Sequence, residues 1–285
     1  MAGAFSLATR VTLNNGLTMP QIQLGVYLMS SAEASQAVKS ALDAGYRAID
    51  SAQMYHNERD ISTTPPKLAS NSTYDRARAS IRKSVKECGL GYIDLFLLHS
   101  PYGGKHARLE SWRAVEDAIQ DGEVRIGGVS NFGEKHITEL LTSHPRIHPA
   151  VNQIEVHPFN THDPLTTLCA THSIQIEAYA PLARALRMTH PTIVALAKKY
   201  ACTPAQLLVR WSCQKGFVSL PKSVRKERIE ENANVGGFEI EEGDMGVLGG
   251  WMRGLLLKLE GIECGGRVAN GKNKKRRVQD GRKHG

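Results

Sequence analysis

The chain has 285 residues, 41% hydrophobic and 22% charged, so it can bury a large core and lacks the composition of a disordered polymer. Its formal net charge of +8 is unevenly placed: residues 251–285 hold ten basic and three acidic groups, leaving 26 against 25 over residues 1–250, which excludes a nucleic-acid-binding face spread along the chain. The absence of any run of 18 apolar residues argues against a membrane-spanning helix, and an odd set of five cysteines without a C-x-x-C pair argues against a disulfide framework or zinc site.

The start, MAGAFSLATRVTL, has neither a basic n-region nor an unbroken apolar core, so we expect a cytoplasmic protein with reduced thiols. Val11 and Leu13, Asn15-Gly16, then Leu17 and Met19 predict a hairpin around a type I′ turn. Next, Gln23–Tyr27 reads as a strand and Ala34, Ala37, Val38, Ala41 and Leu42 as the apolar face of a helix closed by Gly45. Ala48–Asp50 is a strand. Ser72, with Asp75 three residues on, resembles a capping box for a helix that Gly89 stops.

The alternation continues through the near-continuous apolar strand Ile93–His99, a helix bearing Leu109, Trp112, Val115 and Ala118, and strands at Arg125–Ser130, Val151–Val156, Ile174–Ala180 and Phe217–Leu220. Helical periods fill the intervals, and Val224–Asn232 reads as the last helix. Strands near 23, 48, 62, 94, 126, 152, 175 and 218 make eight βα repeats. That is the pattern of an α/β (β/α)8 TIM barrel with an N-terminal β-hairpin. A doubly wound sheet would want a glycine-rich turn between an early strand and its helix. Gly89-Leu90-Gly91 instead leaves a helix and enters a strand.

Barrel chemistry belongs at the C-terminal ends of the strands. Asp50, His99, Ser130, Asn131, Gln153, Tyr179, Lys222 and Ser223 all fall there. Each alone is ordinary, but so many strand-end polar residues in one barrel mark a site.

The segments GYRAIDSAQMYHNE (45–58), LFLLHSP (95–101), GGVSNF (127–132), VNQIEVHP (151–158), AYAPLA (178–183) and LPKSVRKERIEEN (220–232) together resemble the aldo-keto reductase family. The resemblance implies a (β/α)8 barrel and NADPH-dependent reduction of an aldehyde or ketone to an alcohol. It implies Asp50, Tyr55, Lys67 and His99 as the catalytic group. It further implies Ser130, Asn131 and Gln153 at the nicotinamide carboxamide and Tyr179 stacked on the ring. Lys222, Ser223, Arg228, Glu231 and Asn232 fall at the adenosine 2′-phosphate and adenine. The residue types suit the chemistry. A carbonyl that gains hydride develops alkoxide charge and needs a proton, and a phenol titrating near ~10 gives one up more readily beside an ammonium. No metal is implied, and the expected partner is a small carbonyl substrate, with no nucleic acid or membrane and the oligomeric state open.

Two features depart from the family pattern. Tyr55 and Lys67 are only 12 positions apart, and residues 57–64 show no helical period, so the barrel is expected to lack the helix between strands 2 and 3, as by a deletion after residue 58. Pro65 and Pro66 also remove two backbone donors beside Lys67. The second departure is the C-terminal stretch 251–285, a basic Gly-rich tail with Lys272, Lys274, Lys275, Arg276 and Arg277 and no interleaved aromatic. It is expected to be disordered beyond a barrel domain of 1–250. The competing functional expectation is a catalytically impaired barrel that retains nucleotide binding or serves as an interaction scaffold.

Overall fold

A computed structural model describes residues 5–52, the backbone of 67–68, and residues 71–250. The chain opens with the hairpin β1 (Arg10–Thr12) and β2 (Thr18–Pro20). Eight parallel strands follow: β3 (Leu24–Gly25), β4 (Ile49–Asp50), β5 (Lys67–Leu68), β6 (Ile93–Leu98), β7 (Val124–Ser130), β8 (Val151–Glu155), β9 (Gln175–Tyr179) and β10 (Val218–Leu220). The helices are α1 (Ser31–Asp43), α2 (Tyr74–Cys88), α3 (Gly104–Gln120), α4 (Glu134–Thr142), α5 (Asp163–Thr171), α6 (Pro191–Lys199), α7 (Pro204–Gln214), α8 (Lys226–Ala233) and α9 (Glu242–Gly249).

The ladder β10-β9-β8-β7-β6-β5 is continuous and parallel, and β3 pairs with β4. Bridges Ile22↔Ser219 and Gly25↔Lys222 join the first strands to the last, reinforced by Gln23 N–H on Ser219 O at 3.0 Å and Gly25 N–H on Pro221 O at 3.1 Å. The first strand of a doubly wound sheet does not meet the last, so this closure decides for the barrel. Among the described residues no pairing joins β4 to β5. Strand β5, Lys67–Leu68, is in register with Leu97 and Leu98, and the position near 62 where the third barrel strand is expected lies outside the described residues. Lys67 therefore stands level with Leu97, next to the C-terminal end of β6, and residues 53–66, including Tyr55 and the expected helix loss, lie outside the described residues.

Strand alternation divides the core. On β6, Leu95 and Leu97 turn into the lumen, while Phe96 and Leu98 pack under the helices with Trp112, Val115 and Ile81. Leu13 and Met19 of the hairpin join Leu95, Ile126 and Val218 and plug the N-terminal end of the barrel. The hairpin itself corrects the expected turn. Leu13 N–H donates to Leu17 O, Gly16 N–H donates to Leu13 O, and Gly16, not Asn15, takes positive φ (80°). That is a three-residue loop with glycine at the left-handed position, because a type I′ turn would need positive φ at both central residues.

Capping also differs from the sequence pattern in two places. Thr73, not Ser72, is the N-cap of α2, and Ser72 N–H donates instead to the Ser111 hydroxyl. Clear capping boxes stand at α1, where Ser30 and Glu33 satisfy each other's backbone donors, and at α7, where Thr203 and Gln206 do the same. Helix α8 is not the last, since α9 follows it. There Lys199 bonds Glu241 and Asp244, and Tyr200 bonds Asp244, fastening α9 to α6.

Candidate active site

The polar strand ends converge. Inward alternation along β7 gives Ile126, Gly128 and Ser130, with Ser130 1% exposed at the C-terminal rim. The Ser130 hydroxyl donates to Gln153 O at 2.9 Å, and Asn131 N–H donates to the same carbonyl at 2.8 Å. Asn131 adopts φ 60°, a left-handed conformation that asparagine tolerates better than most residues. Its side chain is fixed at both ends: Nδ2 donates to His99 O at 2.8 Å and to Ser130 Oγ at 3.1 Å, and Oδ1 accepts from the Tyr179 hydroxyl at 2.9 Å. One network therefore ties the ends of β6, β7, β8 and β9 and presents the Tyr179 ring at the mouth. Burial, with the Glu155 charge nearby, pushes the Tyr179 phenol up, so its hydroxyl remains a donor at neutral pH.

Beneath this rim, Gln153 extends across the lumen. Its Nε2 donates to Asp50 Oδ1 at 2.9 Å and to Glu177 Oε2 at 2.6 Å. Strand β4 is separated from β8 by β3, β10 and β9, so this contact exists only because the sheet curls round on itself. Asp50, Gln153 and Glu177 are all buried. On the rim, burial raises the Glu155 carboxyl, but bonds from Arg184 at 2.9 Å and His157 at 3.3 Å outweigh it and hold it below the usual range.

At the end of β10, Lys222 is exposed and Ser223 half-buried, followed by exposed Arg225 and Arg228. Arg225 is the N-cap of α8 and supplies no side-chain cap, its carbonyl accepts from Arg228 N–H at 3.1 Å, and exposed cations flank the helix start. The Ser223 hydroxyl accepts from Arg225 N–H at 3.1 Å and shapes that turn. Glu231 takes a bond from the Thr203 hydroxyl and Asn232 is buried, so both brace α8 against the barrel. Ammonium and guanidinium groups beside a helix N-terminus fit a phosphate. An aromatic ring beside amide donors and acceptors fits a nicotinamide with its carboxamide.

The structure thus brings together Asp50, His99, Ser130, Asn131, Gln153 and Tyr179 at one end of the barrel, with Lys222, Ser223, Arg228, Glu231 and Asn232 on the adjoining β10–α8 segment. Lys67 starts β5, beside β6, and Tyr55 lies outside the described residues. Glu177, Glu155, Arg184 and Arg225 also belong to this region and were not singled out from the sequence. For Glu177 a signal existed: an acidic residue stands between the apolar Ile176 and Ala178 inside a strand, two residues before Tyr179.

Fold and site together define an α/β barrel whose polar strand ends gather at one mouth. Residues 21–248 match the Aldo/keto reductase family. An uncharacterized oxidoreductase of Schizosaccharomyces pombe is 46% identical over 256 residues, covering 84% of this chain and 92% of that protein. The glyoxal reductase of Bacillus subtilis is 36% identical over 255 residues, covering 84% and 91%. The crystal structure of Bombyx mori aldo-keto reductase in complex with NADP superposes with a TM-score of 0.80 at 32% identity, covering 87% of this chain and 94% of that one. The chain belongs to the aldo/keto reductase family.

Proposed function

We propose that the chain carries out the NADPH-dependent carbonyl reduction of its family with Tyr55 as proton donor, Lys67 and Asp50 as the charges that tune it, and His99 as the group that orients the carbonyl oxygen. NADPH supplies the hydride. Tyr55 delivers its phenolic proton to the oxygen on which alkoxide charge develops. An ammonium at Lys67, facing Asp50, favours the phenolate left behind. Ser130, Asn131 and Gln153 bind the carboxamide, and Tyr179 lies against the ring. Lys222, Ser223 and Arg228 receive the 2′-phosphate at the start of α8, with Glu231 and Asn232 at the adenine.

The observation that carries this reading is the network from Ser130 through Asn131 to Tyr179, which also holds the His99 carbonyl. It lines up a ring-stacking face, amide groups and the histidine at the C-terminal end of one barrel. The test is NADPH consumption with a small aldehyde by the wild-type chain and its Tyr55→Phe variant. Turnover in the wild type and none in the variant is expected. Retained turnover in the variant removes Tyr55 from the mechanism.

The same reading places the domain boundary near 250, with 1–250 as the reductase and 251–285 as an appended basic tail. It also assigns a cytoplasmic site of action, where free thiols such as Cys88, Cys169, Cys202 and Cys213 persist. The substrate is a small carbonyl compound, and neither nucleic acid nor membrane takes part. Among the described residues no helix is long and apolar enough to cross a bilayer.

A further inference from the structure

Glu177 has no part in the mechanism above, yet it is 1% exposed in a lumen that also holds apolar side chains such as Leu97, Ile126 and Val151. A carboxylate withdrawn from water in this way is costly unless hydrogen bonds and charge hold it. Its partner is informative. Glu177 and Gln153 are register neighbours on β9 and β8, and the Gln153 Nε2 that bonds Glu177 Oε2 at 2.6 Å also bonds Asp50 Oδ1 at 2.9 Å.

A carboxylate only accepts hydrogen bonds, whereas the primary amide has one end with two donors and one end that accepts. Two carboxylates around one end of Gln153 therefore demand that this end be the NH2. Turning the amide over would set its oxygen against both. Oε1, an acceptor, becomes the end that meets a ligand.

We propose that Glu177 is a positioning residue which, with Asp50, fixes the orientation of the Gln153 amide so that the site selects the NH2 of a pyridine carboxamide and rejects rings that carry a carbonyl without that donor. This rests on the reading of Gln153 as a carboxamide ligand. Removing Glu177 takes away one of the two carboxylates at the amide NH2, and a glutamine in its place can donate to a turned-over Gln153. The selection should then weaken while the phosphate end of the site is untouched.

The test compares calorimetric binding of NADP with that of its 3-acetylpyridine analogue, in which a methyl group replaces the NH2. The wild-type chain should bind NADP at least about fivefold more tightly, the scale of one charge-assisted bond relayed through an amide. Glu177→Gln, and independently Glu177→Met, should reduce that ratio at least about threefold, chiefly by loss of NADP affinity in the Met variant. Gln153→Leu should bring the ratio near one. A purely structural role for Glu177 would weaken both ligands equally and leave the ratio unchanged. A ratio unchanged in Gln153→Leu overturns the carboxamide reading itself. A ratio that collapses in Gln153→Leu but persists in both Glu177 variants overturns the role of Glu177 alone. A wild-type ratio within twofold of one overturns both, even if the variants do not fold.

Discussion

At the scale of single residues, the site depends on side chains whose freedom has been removed by partners. Asn131 is held in a left-handed conformation by its N–H on Gln153 O and by bonds at both ends of its amide, so its cost in backbone strain is met by the network it completes. Lys222 is the opposite case, an exposed cation at the start of the β10–α8 segment. Reversing its charge removes an attraction for a 2′-phosphate and adds a repulsion. Lys222→Glu should raise the Kd for NADPH about tenfold or more and that for NADH less than about threefold. Equal weakening, measured by fluorescence titration, would take Lys222 away from the 2′-phosphate. Tyr55→Phe should keep NADPH affinity within about threefold while turnover is lost, because the phenol acts on the substrate oxygen and not on the nucleotide.

At the scale of elements, the glycines of β7 show how tightly the lumen is filled. A Cβ on Gly128 would lie 2.5 Å from Leu97 Cδ2 and 2.8 Å from Val151 O, against neighbours on both flanking strands that cannot retreat. Gly128→Ala should destabilise the barrel by about 2–3 kcal/mol, lowering Tm by about 5 °C or more in a thermal melt. An unchanged Tm would mean that β6 and β8 can part without cost. The crossover from β4 to β5 is short in sequence. It has 16 residues, 51–66, whereas the next two crossovers carry helices of 15 and 17 residues in addition to their loops. A parallel crossover of this length is feasible, since about 10–12 residues suffice, but it leaves little chain to cover the strands. Inserting about a dozen helix-forming residues between Glu58 and Arg59 should raise both Tm and kcat/KM, by covering that flank and seating Lys67 more firmly. Equal or lower values in the insertion variant would show that the short crossover is already sufficient.

At the scale of the whole molecule, charge separates from chemistry. The surplus of +7 lies in residues 251–285, while the cations assigned to the nucleotide, Lys222 and Arg228, lie in a body whose balance is +1. Screening limits the reach of remote charges to about 8 Å at physiological salt. Truncation after Gly250 should therefore leave NADPH affinity and turnover within about twofold, and titration of the shortened chain checks this directly. A much larger loss of affinity would make the tail part of the site and move the domain boundary. Closure acts at the same scale: the contact of Gln153 with Asp50 joins residues 103 positions apart, and any variant that parts β3 from β10 should also loosen this bond.

What the sequence determined by itself is what repeats locally. The alternation of apolar strands with helical periods was enough for eight βα units. Gly45 and Gly89 marked the ends of α1 and α2, and the cations of 222–228 stood out within a few neighbouring residues. Their signal is short-range, because side-chain direction follows periods of 2 and 3.6 along the chain. Where two local solutions were close, the tertiary structure chose. The hairpin takes a three-residue loop that lets Leu13 and Met19 plug the barrel, and α2 starts at Thr73 because Ser72 bonds Ser111. The meeting of Asp50, Gln153 and Glu177 in one buried cluster was decided only by the closed barrel. Its stagger and curl set which inward residues of distant strands share a layer, and no single segment of the chain contains that information.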